Sequence, residues 1–310
     1  MDKKIKGIVV SERSYSETSK IINILTEEDG IIGLIAKGAK GLKSPLRNVT
    51  TKLTYGLFNI RYKEKGLSTL ISVDIIDPLK QIKKDITMIS YASFIADLSE
   101  QVVKHSNNQN VFSLLSNSLL KINEGFDPMV ISNILELKYL DFLGVMPIID
   151  ECSICGNKKA IVTLSVDKGG YVCKNCHTNE KIVSEKTIKL IRMFYYVDIA
   201  KISKLEISNS VKKEINEFLD NYYDKYTGTD SSSDFTKYHL GDATKETLKT
   251  KSYGSNAWYR DWSYSVYLHS PWVRRGGNYD SGTYAGVFYF NGIAGDGSSD
   301  HSFRVAFGVL

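Results

Sequence analysis

The stretch that decides the fold is SKIINILTEEDGIIGLIAKGAKGLKSPLR, residues 19–47. Two apolar runs flank the turn EEDG, and Gly30 ends that turn, which is typical of a β-hairpin. Three further runs resemble strands: IKGIVVSE, KLTYGLFNIRYK and LSTLISVDIID. Five short strands between residues 5 and 76 predict a small barrel, because closure removes exposed sheet edges. From the residues alone, an OB-type barrel and an SH3-like barrel are both candidates.

After Pro78 the spacing of apolar residues changes to steps of three and four, which predicts helices. The first helix is expected from about Gln81. Asp127 and Pro128 have the chemistry of an N-cap and a first helical position. Four more helices are predicted, in VFSLLSNSLLKI, MVISNILELKYLDFL, EKTIKLIRMFYYV and SNSVKKEINEFLDNYY. Their apolar faces are sufficient for a helical bundle.

All four cysteines lie in residues 151–177, as two CxxC pairs separated by seventeen residues. This spacing is typical of a structural zinc site, because two CxxC turns supply a closed shell of four sulfurs. A redox dithiol, a pair of disulfides and a haem attachment at CKNCH are the weaker alternatives. His177 would be a bystander or a spare ligand. The predicted ligands of one Zn²⁺ per chain are Cys152, Cys155, Cys173 and Cys176.

The net charge is +5, and residues 229–310 are neutral, so the basic excess lies in residues 1–228. A loop rich in lysine and glycine follows the predicted hairpin and could lay cations along a phosphate backbone. Aromatic residues on or near the barrel, namely Tyr15, Tyr55, Phe58 and Tyr62, could stack on bases or belong to the core. The simpler alternative is a solvated loop beside core aromatics. The predicted nucleic-acid contacts are Arg13, Lys37, Lys40, Lys43, Arg47, Arg61 and Lys63.

The last part of the chain has a different composition. It follows the linker-like run TGTDSSSD and holds 16 of the 34 aromatic residues. We therefore interpret residues 229–310 as a separate unit.

Two observations concern the cellular location. The first residues lack the apolar run of a secretory signal, and no window reaches the roughly 18 apolar residues of a membrane span. The sequence therefore favours the cytosol, where thiols stay reduced.

Two segments carry a resemblance to a known family, GIVVSERSYSETSKIINILTEEDGIIGLIAKGAKGLKSPLR and ELKYLDFLGVMPIIDECSICG. The order of the parts carries it too: barrel, helices, paired CxxC and helices. In both respects the chain resembles the RecO family of bacterial recombination mediators. The resemblance covers residues 1–228. It implies an OB-fold that binds single- and double-stranded DNA and a helical domain that carries a structural zinc. It also implies strand annealing and, with RecR and RecF, loading of RecA onto DNA coated by the single-stranded DNA-binding protein. The acidic tail of that protein is expected to dock on the helical domain.

The end of the chain carries a second resemblance. The segment SPWVRRGGNYDSGTYAGVFYFNGIAGDGSSDHSFRVAFG is similar to the end of C-type-lectin-like domains of the formylglycine-generating-enzyme type and to phage surface proteins. The tail contains no cysteine, so the oxidase chemistry of that family does not carry over. We expect a β-rich appendage, consistent with a gene fusion and without a role in DNA repair. The residues that carry this resemblance are Arg275, Gly276, Gly277, Gly286, Phe288, Phe303 and Arg304.

The sequence therefore predicts an α+β multidomain protein. An OB-fold barrel occupies residues 1–80, a helical bundle 81–228 with a zinc module at 151–180, and a β-rich appendage 229–310. The predicted function is that of a DNA-binding mediator acting in the cytoplasm at the nucleoid, and no enzyme motif is present. The alternative from another class is a protein-interaction adaptor whose barrel is only structural.

Overall fold

The computed structural model describes residues 2–64, 66–106 and 110–227, and two short strands at 272–275 and 290–293. The chain divides into two compact units, Met1–Thr227 and Gly228–Leu310.

Five strands form a closed barrel in the order β1-β2-β3-β5-β4. All neighbours are antiparallel except β3 and β5, and β1 pairs with both β2 and β4, as expected for an OB-like barrel. The prediction of five strands in an OB-type barrel is confirmed. The strands are β1 (Asp2–Ser14), β2 (Lys20–Thr26), β3 (Ile31–Ala36), β4 (Tyr55–Arg61) and β5 (Ser68–Asp77).

The core of the barrel consists of aliphatic side chains around one aromatic ring. Phe58 of β4 is fully buried and belongs to the same hydrophobic cluster as Ile22 and Ile24 of β2 and Leu34 of β3. The hairpin between β2 and β3 turns at Gly30, whose φ of +66° is in the left-handed region that glycine adopts without strain. The hairpin predicted from EEDG is thus present.

In the part of the chain that the structure describes, five helices follow the barrel, as the apolar spacing predicts. The first begins at Ile86 rather than near Gln81, because the Asp85 side chain accepts a hydrogen bond from the Met88 N–H and caps it there. A short 3-10 turn, Ile82–Lys84, precedes that cap. The helices are α1 (Ile86–His105), α2 (Asn110–Asn123), α3 (Pro128–Phe142), α4 (Glu185–Tyr196) and α5 (Asn209–Tyr226).

Helix α3 lies at the centre of the bundle and contacts the other four helices. It begins as predicted, with Asp127 as N-cap and Pro128 in the first turn. Two tyrosine hydroxyls connect it to its neighbours. Tyr223 of α5 donates to the Glu136 carbonyl oxygen at 2.8 Å, and the Tyr139 hydroxyl lies 2.7 Å from that of Ser99 in α1. These buried polar contacts fix the pairing of helices that apolar packing alone leaves less specific.

The bundle packs directly on the barrel. Tyr55 of β4 meets Phe112 of α2 edge to face, with ring centroids 6.4 Å apart. Asn23 of β2 donates to the Glu100 carboxylate at 3.3 Å. The barrel and the helices therefore contact each other within the unit Met1–Thr227.

The segment between α3 and α4 contains a hairpin of two strands, β6 (Ile161–Ser165) and β7 (Gly170–Cys173). This is the hairpin predicted between the CxxC pairs.

In the second unit, β8 (Trp272–Arg275) and β9 (Phe290–Ile293) pair antiparallel. The rest of the predicted β-rich appendage, and most of the residues in the second resemblance, lie outside the described residues. Among the helices described, none combines the length and apolar character needed to cross a membrane.

Candidate nucleic-acid interface and metal centre

Two of the predicted cationic residues, Arg13 and Arg61, lie in one row of the barrel sheet. The strand register places Arg13, Ile21, Ile35, Thr69 and Arg61 in one row across all five strands. Neighbouring strands lie about 4.8 Å apart, so the two arginines flank a band about 20 Å wide along the sheet. The sequence gives no register, so this juxtaposition comes from the fold.

Three loops leave the barrel at or beside this row. Residues 15–19 connect β1 to β2, residues 62–67 connect β4 to β5, and residues 37–54 connect β3 to β4. In OB-folds generally, the first two of these loops border the surface that binds oligonucleotides. Arg13 precedes the first loop and Lys63 belongs to the second. The long loop carries four cations: Lys37, Lys40, Lys43 and Arg47.

The long loop is held in place by the barrel. The Lys40 backbone N–H donates to the Thr18 carbonyl oxygen at 2.9 Å, and its ammonium donates to the Ser16 carbonyl oxygen at 3.1 Å. Ala39 is buried in the barrel core, and Leu46 packs against the same core. Lys40 therefore has a second role that its sequence position does not reveal, because it ties two of the three loops together.

The predicted contact residues differ from other barrel cations in their ion pairs. Lys3, Lys4, Lys6, Lys20 and Lys52 each pair with a carboxylate. All seven predicted residues are exposed, and within the described part of the chain only Arg61 pairs, with Asp2 at 3.6 Å. A cation without an ion pair binds phosphate without the free-energy cost of first breaking that pair. Within the described residues, the predicted contacts without a carboxylate partner are Arg13, Lys37, Lys40, Lys43, Arg47 and Lys63.

Only two of the four aromatic candidates can reach a ligand. Tyr15 is 50% exposed and Tyr62 is 38% exposed, with the Lys3 ammonium 5.6 Å from the Tyr62 ring centroid. Phe58 lies in the barrel core, and Tyr55 is buried although it points to the opposite face. Tyr55 is in edge-to-face contact with Phe112 of the bundle, so of the two roles left open by the sequence, stacking or core, Tyr55 and Phe58 have the core role.

The four cysteines meet at a single point. Their sulfur atoms all lie within 4.8 Å of one another, and Cys155 and Cys173 have sulfurs 3.6 Å apart. No pair forms a disulfide. The cluster could hold a metal ion.

The protonation of the thiols also suits a cation. Burial alone would raise the pKa of Cys152, but backbone N–H groups of Cys173, Cys155 and Ile154 hold that pKa at about 6. The neighbouring Cys155 sulfur, with burial, raises the pKa of Cys176 to about 12. Cys152 therefore ionises readily and Cys176 does not, because negative charge on the neighbouring sulfurs accumulates in a small volume. A divalent cation at the centre would remove this repulsion.

The second CxxC turn is fastened by side chains beside it. Lys168 donates to the Cys176 carbonyl oxygen at 3.0 Å and also pairs with the Glu180 carboxylate. The hydrogen bond from Lys168 to Glu180 lowers the pKa of Glu180 to about 2. The His177 ring nitrogen Nε2 lies 2.8 Å from the Glu180 carbonyl oxygen. The His177 ring therefore makes its contact outside the cluster of four sulfurs. Of the two predicted roles, bystander and spare ligand, this position corresponds to the bystander.

Gly170, at the start of β7, allows the module to close. Its φ is +150°, and a Cβ atom there would lie 2.2 Å from the Ile148 carbonyl oxygen. The Ile148 segment leads into the first CxxC turn, and its carbonyl oxygen accepts the Tyr171 N–H at 2.8 Å. Only glycine permits this close approach of two backbones.

We expect Gly170→Ala to lower the free energy of unfolding by at least about 3 kcal/mol, because backbone atoms must move apart. Chemical denaturation of the full chain measures this change. Gly144→Ala is the matched control, since Gly144 has a φ of +73° and no atom within 4 Å of the added Cβ. The control variant should lose only about 1 kcal/mol from backbone strain. Equal losses in the two variants would contradict the steric explanation.

One exposed residue of this surface was not predicted from sequence. Leu42, next to Lys43 in the long loop, is 87% exposed. The sequence signal that could have indicated its exposure is an apolar residue in a segment of glycine, lysine, serine and proline. Leu46 lies in the same composition but packs on the core, so composition alone does not separate the two.

Comparison with known proteins gives matches over the first three-quarters of the chain. The family model described as Recombination protein O N terminal matches residues 1–79, and that described as Recombination protein O C terminal matches residues 83–234. The chain is 34% identical over 229 residues to DNA repair protein RecO of Bacillus pumilus (strain SAFR-032), covering 73% of this chain and 89% of the relative. It is 36% identical over 232 residues to DNA repair protein RecO of Bacillus cereus (strain AH187), covering 74% and 93%. Both relatives are named as DNA repair proteins.

Proposed function

The chain belongs to the recombination protein O (RecO) family, and from this premise we propose that it is a DNA-binding recombination mediator in DNA repair. The proposed activity is the annealing of complementary strands and, with RecR and RecF, help in loading RecA onto DNA coated by the single-stranded DNA-binding protein. The proposed location is the nucleoid.

One observation carries the DNA-binding part of this proposal. Cations that have no carboxylate partner within the described residues lie in or beside the loops of an OB-like barrel that, in OB-folds generally, border the oligonucleotide-binding surface. Phosphate contacts of this kind give affinity that does not depend on base sequence. Such binding suits a protein that must act on any damaged site. The proposed contacts are Arg13, Lys37, Lys40, Lys43, Arg47, Arg61 and Lys63.

The helical domain is the proposed docking region for protein partners, including the acidic tail of the single-stranded DNA-binding protein. This part of the proposal rests on family membership. Both RecO relatives are named as repair proteins, and we propose that this chain likewise works by binding rather than by catalysis.

We propose that the metal ion is a structural Zn²⁺ held by all four cysteines. A tetrahedral site with Zn–S bonds of about 2.3 Å places sulfurs about 3.8 Å apart. The 3.6 Å separation of the Cys155 and Cys173 sulfurs is close to that value. Four thiolate donors favour zinc over magnesium or calcium, which prefer oxygen ligands. Four protein ligands also complete the shell, so the zinc would hold the module together without binding a substrate.

An annealing assay with the full-length chain tests the proposal. We expect the protein to accelerate pairing of complementary oligonucleotides, and its affinity for single strands to fall steeply with salt. Each phosphate contact contributes about −0.7 to the slope of log affinity against log salt concentration. The seven proposed contacts would therefore give a slope of about −5.

The adaptor alternative makes the opposite prediction. A protein whose barrel is only structural would neither bind single-stranded DNA at low salt nor anneal strands. That result would overturn the proposed function.

A further inference from the structure

Leu42 is the most exposed large apolar side chain among the described residues, at 87%. A single exposed aliphatic residue on a protein surface needs no explanation by itself. Its position is informative, because it lies within the cationic loop and between two core anchors.

The tip of the loop consists of two consecutive hydrogen-bonded turns. The Gly41 N–H donates to the Gly38 carbonyl oxygen at 3.1 Å, and the Ser44 N–H donates to the Gly41 carbonyl oxygen at 3.1 Å. Leu42 and Lys43 are the two central residues of the second turn. These hydrogen bonds define the loop tip before any ligand binds, so less conformational entropy is lost when it engages one.

Both sides of the tip are fastened to the barrel. Ala39 is buried in the barrel core before the second turn, and Leu46 packs against the same core after it. The Lys40 ammonium adds a contact with the Ser16 carbonyl oxygen. The anchored chain on each side thus holds Leu42 at the surface.

The loop that carries Leu42 is cationic. Lys37, Lys43 and Arg47 are exposed and, within the described residues, have no carboxylate partner. A ligand for this tip must offer negative charge around an apolar slot. A nucleic acid has that arrangement, with phosphates outside and stacked bases inside. Proteins that distort nucleic acids commonly insert leucine or a similar apolar side chain between neighbouring bases.

We propose that Leu42 is a wedge that inserts between stacked bases of the nucleic acid held by the surrounding cations. This proposal rests on the proposed function, because it requires DNA at the basic loop. The wedge contacts base faces and no phosphate, so it acts at any sequence. It unstacks one base step in a bound strand, replaces the contact between two base faces by contact with the leucine side chain, and bends the strand at that step.

The test uses full-length protein and an oligonucleotide with a fluorescent adenine analogue whose emission is quenched by stacking. Wild-type protein should raise the emission severalfold on binding. Leu42→Ala should remove this rise and weaken binding about tenfold, the scale of one leucine side chain returned to water. The slope of log affinity against log salt should stay unchanged, because no phosphate contact is lost. Leu42→Phe keeps an apolar wedge and should restore the rise.

Ile86→Ala is the matched control. Ile86 is 74% exposed at the start of α1, outside the loop, and its replacement should change neither affinity nor emission. Wild-type emission and affinity in Leu42→Ala would overturn the wedge while leaving the proposed function intact. If wild-type protein binds no DNA, the proposed function itself fails, and this is evident before any variant is compared.

Discussion

Replacing Lys37 and Lys43 with glutamate should weaken binding to single-stranded DNA by at least about a hundredfold near 0.1 M salt. Both lysines are exposed, and within the described residues neither pairs with a carboxylate. The substitutions remove two phosphate contacts and add two negative charges to the same loop. Annealing should be lost in parallel, because both strands carry the same backbone charge.

The salt dependence distinguishes this effect from damage to the fold. Replacing the same two lysines with alanine should reduce the magnitude of the salt slope by about 1.4, which is two contacts at about 0.7 each. Lys40 is left unchanged because its ammonium also holds the turn at Ser16. Fluorescence anisotropy at several salt concentrations gives both the affinity and the slope.

Lys201→Glu with Lys204→Glu is the control that changes net charge equally. Both residues lie outside the barrel and form only exposed ion pairs, which contribute little to stability. The control variant should bind DNA nearly as well as wild type. Equal loss in both variants would mean that overall charge, and not the loop, determines binding.

Loss of the metal should have the largest effect on stability. Structural zinc sites contribute about 10–16 kcal/mol of binding free energy, which matches or exceeds the total stability of an ordinary domain. We expect one zinc per chain by elemental analysis, and a large fall in the unfolding temperature when a chelator removes it. The segment between α3 and α4 should lose its structure first, because its hairpin is short.

Cys155→Ser tests the ligand set with little disturbance of packing. Cys155 is exposed, whereas Cys152 and Cys173 are buried, so its replacement removes a ligand rather than core contacts. This variant should lose tight zinc binding, and His177→Ala should retain one zinc per chain. Metal-free wild-type protein of unchanged stability, purified under reducing conditions, would contradict a structural zinc.

Local sequence features account for the elements of the fold. The period of apolar residues gives the five strands and the five helices, and the Asp127–Pro128 cap starts α3 where predicted. Helix α1 begins later than its apolar period suggests. The reason is that Asp85 caps the helix and a 3-10 turn precedes the cap. The spacing of apolar residues reveals neither the cap nor the turn.

Side-chain environment is predicted less well. Alternation in β4 assigns Tyr55 and Phe58 to opposite faces, and a two-faced strand usually exposes one of them. Both are buried because the bundle covers the outer face at Tyr55. Leu42 and Leu46 present the same difficulty within one loop, where only the fold shows which of them reaches the core.

The sequence by itself determined the family, the order of elements and the four cysteines, because these depend on residue type and on spacing along the chain. Tertiary structure decided which cations share a surface, that Lys40 ties two loops together, and that Leu42 stays exposed. These properties depend on strand register and on packing between distant segments. Arg13 and Arg61 are far apart in sequence, and only barrel closure places them in one row.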